Sequence, residues 1–175
     1  MNRNALTLAV AKLCAISLLF CTASFSQTQQ AFGFNSATIS GFPTGSARLT
    51  GGGAFNLATG FVKSAGGFRC TSDINQGPLA GCETAQGVRW DTAALLLSTT
   101  FKCTGGAGEV LKTAFTSENT VVLKADFYRA GDGNDESFTA NMIVSAQDLA
   151  PDIPGVQNVW IQGVGCGRAI VTFSH

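Results

Sequence analysis

The chain has 175 residues, of which 45% are hydrophobic, 13% are charged and 21 are glycine. This low charge and high glycine content favour a β domain with tight turns over a helical bundle or a disordered chain. The 11 basic and 11 acidic residues balance, and the sequence contains no basic patch or charge run. The composition therefore argues against nucleic acid as a partner and against a polybasic membrane-surface mode.

Residues 1–26 have the composition of a cleavable signal peptide. Arg3 and Lys12 supply positive charge, and an uncharged apolar run follows Lys12. Ser24 and Ser26 then satisfy the small-x-small rule, which predicts cleavage after Ser26. The apolar run is short for a bilayer span of about 20 residues. We therefore expect a secreted or periplasmic protein with no stable membrane span after cleavage.

Residues 27–175 are then expected to form a single secreted β domain, long enough to bury a core and with a net charge of −2. Its four cysteines are Cys70, Cys82, Cys103 and Cys166, an even number that suits two disulfides in an oxidising compartment. Their long spacings argue against a zinc site. Of the three possible connectivities we favour Cys70–Cys82, which closes a glycine- and proline-containing loop, and Cys103–Cys166, which ties the middle of the chain to the last strand.

Short alternating runs predict strands in the first half of this domain. The predicted strands cover residues 37–42, 46–50, 54–57 and 60–63. Residues 71–87 have no apolar period and predict a long ordered loop pinned by Cys70 and Cys82, a kind of loop that often carries function. A further strand is predicted within residues 90–103. Its segment 93–97 fits either one helical turn or a strand buried on both faces.

The second half of the domain shows a clearer period of two. Residues 109–115 and 120–129 predict a hairpin, and a turn at 131–135 contains the Asp-Gly pair typical of hairpins. The last two strands are expected at 157–162 and 168–174. The residues expected to share one face of their strands are Val121, Leu123, Ala125 and Phe127, then Phe138, Ala140, Met142 and Val144, then Ala169, Val171 and Phe173.

These elements amount to eight or nine short strands, with little helix outside the signal peptide. The fold class is therefore all-β, and a small antiparallel β-barrel is favoured, with a β-sandwich as the alternative. The barrel is preferred because closing the sheet removes the exposed edges that short glycine-rich strands would otherwise leave.

Several catalytic classes are disfavoured by the residue types. The only histidine is His175, at the C-terminus, which argues against Ser-His-Asp or Cys-His catalysis and against histidine metal sites. Carboxylates are the remaining candidates: Asp91, Asp126 and Glu136. Asp126 faces Glu136 if the hairpin closes at residues 131–134, and two such carboxylates can act as acid and base on a glycosidic bond. The alternative is that they are solvated hairpin charges.

Asp132, Asn134 and Glu136 have the alternating spacing with which a calcium-binding loop begins. The rest of an EF-hand loop is absent, since no glycine occupies the sixth position and no glutamate closes the loop. A solvated acidic turn is therefore the alternative. Calcium is the only cofactor that the sequence suggests.

Aromatic residues offer a third kind of site. Trp90, Tyr128 and Trp160, together with the many phenylalanines, exceed what a few thin strands need. Either some of them line a barrel cavity and face an apolar ligand, or they fill the core.

The sequence thus favours a secreted, non-enzymatic β-domain protein that binds a small ligand, a glycan or a protein, or that has a structural role in the cell envelope. A carboxylate-based hydrolase or a barrel-fold isomerase or cyclase is the first alternative. A calcium-stabilised adhesion module is the second. The loop at 71–87 and the turn at 131–136 are the surface features expected to carry such functions.

Overall fold

The computed structural model describes residues 29–42, 44–129 and 136–174. Within these residues the protein contains β-strands and no helix, which confirms the all-β prediction. The strands are β1 (Gln30–Gly41), β2 (Ser46–Asn56), β3 (Phe61–Ser72), β4 (Arg89–Leu96), β5 (Ser98–Phe101), β6 (Lys112–Phe115), β7 (Thr120–Arg129), β8 (Glu136–Ser145), β9 (Val159–Ile161) and β10 (Gly165–Ser174). The predicted signal peptide and its cleavage site lie outside the described residues.

Eight of these strands form a closed antiparallel barrel in the order β1-β2-β3-β4-β7-β8-β9-β10, with β10 pairing back to β1. The prediction of a barrel rather than a sandwich is confirmed. Strands that are neighbours in the chain are neighbours in the barrel, except that β5 and β6 leave it and pair with each other. The pairing of β10 with β1 extends along all ten residues of β10, so the barrel has no terminal edge strand.

The predicted hairpin between residues 109–115 and β7 is wrong. β6 pairs with β5, with Ser98 opposite Phe115, whereas β7 lies between β4 and β8 and has both edges occupied. A local alternation shows that a segment is extended but does not show which strand it pairs with. The predicted pairing of β7 with β8 is confirmed. Of the two readings of residues 93–97, the strand is right as far as Leu96, where β4 ends, but it is not buried on both faces, since Ala93 is exposed.

The glycine-rich strands β2 and β3 are longer than predicted, because their glycines pair within the β2–β3 ladder rather than ending it. Two of these glycines also make room for Trp90. A Cβ atom on Gly51 would lie 2.5 Å from Cζ2 of Trp90, and one on Gly66 would lie 2.7 Å from its Nε1. Gly51 and Gly66 are opposite each other on β2 and β3. The glycines therefore continue the strands, and they let the indole ring cross the barrel interior.

The barrel interior is a packed core. The inward residues of β7 and β8 follow the predicted alternation, with Val121, Leu123, Ala125, Phe127, Ala140, Met142 and Val144 buried. Phe138, the remaining predicted member, is only partly buried. Phenylalanines of β1, β2 and β10 pack together, and the ring centroid of Phe32 lies 6.1 Å from those of Phe55 and Phe173. Side chains of the protein, rather than an evident cavity, thus occupy this part of the interior.

Residues 73–88 connect β3 to β4 and contribute side chains to the interior core. Ile74 and Leu79 are fully buried in the interior core, and the predicted Cys70–Cys82 disulfide fixes the loop to β3. The predicted ordered loop is therefore present. The apolar side chains of this loop are part of the interior core.

Residues 97–116, called the covering hairpin below, contain β5 and β6 and pack on the outer face of the barrel. Beneath them Val122, Ile143 and Trp160 point outward from β7, β8 and β9 and are buried. The predicted Cys103–Cys166 disulfide fixes the hairpin to β10. A second hydrophobic core therefore lies outside the barrel.

Glu109 organises the loop between β5 and β6. Its side chain is 6% exposed, and its Oε1 lies 3.6 Å from Nζ of Lys112. The carboxylate accepts hydrogen bonds from the backbone N–H groups of Cys103, Thr104 and Gly105 at 2.6–3.0 Å. Burial opposes ionisation, but the hydrogen bonds from Thr104 and Cys103 and the charge of Lys112 lower the pKa of Glu109 to about 2. The ionised side chain therefore holds the loop beside the disulfide.

Candidate functional site

The three candidate aromatic residues lie in three different environments. Trp90 is fully buried in the barrel interior, where its Nε1 donates to Thr50 O at 2.9 Å. Trp160 is buried beneath the covering hairpin, where its Nε1 donates to Lys102 O at 2.9 Å. Tyr128 is partly exposed on the outer face of the barrel. The structure therefore does not bring these three side chains together in one apolar site.

Two of the three candidate carboxylates meet on the outer face. Asp91 on β4 lies directly opposite Asp126 on β7, and Asp126 accepts a hydrogen bond from Thr139 Oγ1 at 2.7 Å. Beside them, the guanidinium of Arg89 lies 4.5 Å from the ring centroid of Tyr128. Partial burial and the Asp91 carboxylate raise the pKa of the Tyr128 hydroxyl. Both carboxylates are half-buried on the convex surface of the sheet rather than within the barrel.

Glu136 lies apart from that pair. The β7–β8 register places it opposite Arg129, with which it forms an ion pair, and places Asp126 further along, opposite a threonine. The expected facing of Asp126 and Glu136 is therefore not realised. Asp132 and Asn134, the other members of the predicted calcium site, lie outside the described residues. Among the residues that are described, no group of three or more His, Cys, Asp or Glu side chains is placed to hold a metal ion.

A feature not predicted from the sequence is a line of four exposed arginines across the outer face of the barrel. Arg48 on β2 is directly opposite Arg69 on β3. Arg168 on β10 and Arg89 on β4 flank this pair, with β1 between Arg168 and Arg48. These four residues are called the arginine row below. Because each lies on a different strand, the positive charge runs across the sheet rather than along it.

Two guanidinium groups of the arginine row are oriented by backbone carbonyls. Arg48 Nε donates to Ala37 O at 3.0 Å, and Arg69 Nε donates to Ala85 O at 3.2 Å. Such a bond orients the guanidinium plane and leaves its terminal nitrogens for an external acceptor. None of the four arginines forms a salt bridge with a carboxylate in the described part of the chain.

Two adjoining grooves follow the arginine row. The β10–β1–β2 groove has a volume of about 660 Å³ and is lined by Arg168 and Arg48, at the place where a β-bulge shifts the register of β1. The β2–β3 groove has a volume of about 400 Å³ and is lined by Arg48, Arg69 and Val88. Arg48 therefore belongs to both grooves.

The sequence contains only part of the signal for this site. The inward alternation predicted for Ala169, Val171 and Phe173 implies that Arg168 points outward. Arg48 and Arg69 are distant from it in the chain, however, and only strand order and register bring the three together. The observation that no basic patch exists is thus correct for the linear sequence and wrong for the folded surface.

Comparison with known proteins found no matching family model, no matching curated protein and no matching solved structure. In the portion of the chain that the structure describes, no helix is long and apolar enough to cross a membrane. Function has to be inferred from the surfaces described above.

Proposed function

We propose that this protein is an exported, non-enzymatic binding protein that holds an anionic ligand on the arginine row. The observation that carries the proposal is the alignment of four exposed arginines on β10, β2, β3 and β4, with no salt bridge to a described carboxylate. Guanidinium groups bind carboxylate, sulfate and phosphate through paired hydrogen bonds. A row of them is suited to a ligand that carries such groups.

The placement of Arg48 and Arg69 supports a binding role. Like charges directly opposite each other on adjacent strands destabilise a sheet, and Arg48 and Arg69 have this arrangement. A surface that only keeps a protein soluble is better served by interspersed charges of both signs. The repulsion between Arg48 and Arg69 lowers stability in the free protein, and an anion that neutralises both charges in the bound state explains why the arrangement is present.

Export is part of the proposal. Residues 1–26 have the features of a signal peptide, and the two disulfides suit an oxidising compartment. Expression of the full chain, followed by mass spectrometry of the protein recovered outside the inner membrane, tests this directly. A mature chain that begins at Gln27 is expected.

The catalytic alternative, a carboxylate-based hydrolase or a barrel-fold isomerase or cyclase, has one observation in its favour, the direct opposition of Asp91 and Asp126. Binding has more support, because the arginine row is larger and two grooves adjoin it. Turnover of a glycoside panel that disappears in Asp126→Asn would favour the catalytic alternative.

The binding proposal is tested with the exported protein, labelled with ¹⁵N and kept free of reductant. Galacturonate and sulfate are titrated while the arginine Nε–H signals are followed by NMR. We expect saturable shifts at Arg48 and Arg69. Arg129 serves as the internal reference, since it is already paired with Glu136.

A matched pair of variants completes this test. Arg48→Gln should abolish the saturable shift at Arg69, whereas Lys124→Gln, which removes an exposed cation from β7 outside the row, should leave it unchanged. Equal shifts at Arg129 and at the row, or no shifts at the row, would contradict the proposal.

A further inference from the structure

We infer that the ligand of the arginine row is an acidic oligosaccharide that lies across the strands and occupies both grooves. This inference rests on the proposed function and adds the class of the ligand and its direction on the sheet. Three features carry it: the spacing of the arginines, the lining of the two grooves, and the pairing of the strands beneath them.

The spacing of the row favours an elongated ligand with repeated charges. Neighbouring strands lie about 4.8 Å apart, so Arg48 and Arg69 on adjacent strands can share one anionic group. Arg168 is separated from Arg48 by β1, which places their backbones about 10 Å apart. One small anion does not span that distance, whereas a chain of charged units does.

The lining of the grooves favours sugar units between the charges. The β10–β1–β2 groove presents the polar side chains of Asn35 and Thr50 next to the exposed Ile170. The β2–β3 groove presents the exposed Val88. Hydroxyl groups of a sugar can bond to the amide and hydroxyl side chains, and the C–H face of its ring can pack on the aliphatic ones.

An acidic peptide fits this surface less well than a glycan. Peptides often bind by adding a strand to a free sheet edge, but β1, β2 and β3 each already have a partner strand on both sides. The peptide would have to bind through side chains alone, on grooves that are shallow and open.

Single-stranded nucleic acid also fits less well. Its bases are usually held by stacking on exposed aromatic rings. The lining of the β10–β1–β2 groove includes no aromatic residue, and that of the β2–β3 groove includes Phe68, which is buried in the barrel core.

The test measures binding as a function of ligand length. Oligogalacturonates from the monomer to the hexamer are titrated calorimetrically into the exported, oxidised protein at low and high salt. Sulfated oligosaccharides of the same lengths show whether the acid is a carboxylate or a sulfate. A neutral maltohexaose is the uncharged control, and a hexaglutamate peptide and a hexathymidylate are the competing polyanions.

We expect the affinity for one acidic series to rise by at least about tenfold from monomer to hexamer, because each further contact is made within the same complex. High salt should weaken the hexamer more than the monomer. Maltohexaose should not bind measurably.

Variants locate the ligand on the row. Arg168→Gln should remove most of the gain with length, since Arg168 lines the β10–β1–β2 groove and not the β2–β3 groove. Arg48→Gln should weaken every length, because Arg48 lines both grooves. Lys124→Gln, which removes an exposed cation of β7 outside the row, is the matched control and should change little. Circular dichroism confirms that each variant is folded.

The outcomes separate this inference from the proposed function. Monomer and hexamer binding equally well, or hexaglutamate or hexathymidylate binding more tightly than the acidic sugars, would overturn the glycan and leave the anion site standing. A length gain that survives Arg168→Gln would overturn the direction across the strands. If no anion binds the row at all, the proposed function itself is wrong.

Discussion

One side of the barrel's outer face is apolar and covered, and the other is charged and bare. On β7, β8 and β9 the outward residues Val122, Ile143 and Trp160 are buried beneath the covering hairpin. On β2, β3 and β4 the outward positions include members of the arginine row. β10 belongs to both sides, since Cys166 is bonded to the hairpin and Arg168, two residues later, is exposed.

This difference shows that an outward strand position does not determine the chemistry of its side chain. Where a further element packs, outward positions build a second core. Where none of the described residues packs, solubility requires polar groups, but it does not require four charges of one sign. The covered side therefore serves stability, and the bare side is the one from which a function is inferred.

The largest expected effect comes from detaching the covering hairpin. Cys103→Ser combined with Cys166→Ser removes a cross-link between residues separated by 63 positions, for which loop-closure entropy predicts a loss of about 4 kcal/mol. Urea denaturation measures the loss. Native-state hydrogen exchange should show that the amides of β5 and β6 open well before those of the barrel.

The other disulfide provides the control. Cys70→Ser with Cys82→Ser removes a cross-link with a separation of 12, which predicts a loss of about 3 kcal/mol, and it should leave exchange in β5 and β6 protected. If both variants loosen the covering hairpin equally, Cys103–Cys166 is not what fixes it to the barrel.

Substitution of one isoleucine on each side compares the packing of the two sides directly. Ile143 and Ile170 both point outward, but Ile143 is 0% exposed beneath the hairpin and Ile170 is 77% exposed on the bare side. Ile143→Ala should lower the free energy of unfolding by about 3 kcal/mol, and Ile170→Ala should change it by less than about 0.5 kcal/mol. Equal losses in urea denaturation would mean that the two sides do not differ in packing.

The ionisation of Glu109 makes the stability of the covered side depend on pH. Its pKa falls from 4.5 to about 2 on folding, so its contribution is fully present above about pH 4.5 and is lost as the pH falls towards 2. Allowing for solvent screening, we expect Glu109→Gln to cost about 2 kcal/mol at pH 7. Urea denaturation of both proteins at several pH values measures this difference.

The difference between the wild type and Glu109→Gln should shrink as the pH approaches 2. Glu118→Gln, in the exposed turn before β7, should match the wild type at pH 7. A constant difference at all pH values would show that Glu109 stabilises the loop by its shape rather than by its charge.

The parts of the fold differ in how far the sequence predicts them. The inward residues of β7 and β8 and the two disulfides were predictable, because alternation and cysteine spacing are local or nearly local signals. The pairing partner of β6 was not predictable, because the alternation of residues 109–115 is compatible with pairing to β5 as well as to β7. The interior position of Trp90 depends on Gly51 and Gly66 facing each other across β2 and β3, which is a matter of register.

The candidate site was less predictable than the fold for the same reason. Asp126 and Glu136 were expected to face each other, but the pairing of β7 with β8 places Arg129 opposite Glu136 and a threonine opposite Asp126. On its other side, Asp126 lies opposite Asp91 of β4. Arg48, Arg69 and Arg168 have no relation in the linear chain. A charge pattern that runs across strands becomes visible only when strand order and register are both known.

The smallest effect on stability is expected on the bare side, and it is the most informative about function. Because Arg48 lies opposite Arg69, Arg48→Gln should raise the free energy of unfolding by a few tenths of a kcal/mol at low salt, and screening at high salt should remove the gain. Lys124→Gln, which has Ala94 and Asn141 opposite, should show no such gain. A loss of stability in Arg48→Gln would mean that its hydrogen bond to Ala37 outweighs the repulsion. A gain that accompanies loss of galacturonate binding would mean that the barrel keeps a destabilising pair of charges for its ligand, the trade-off typical of binding sites.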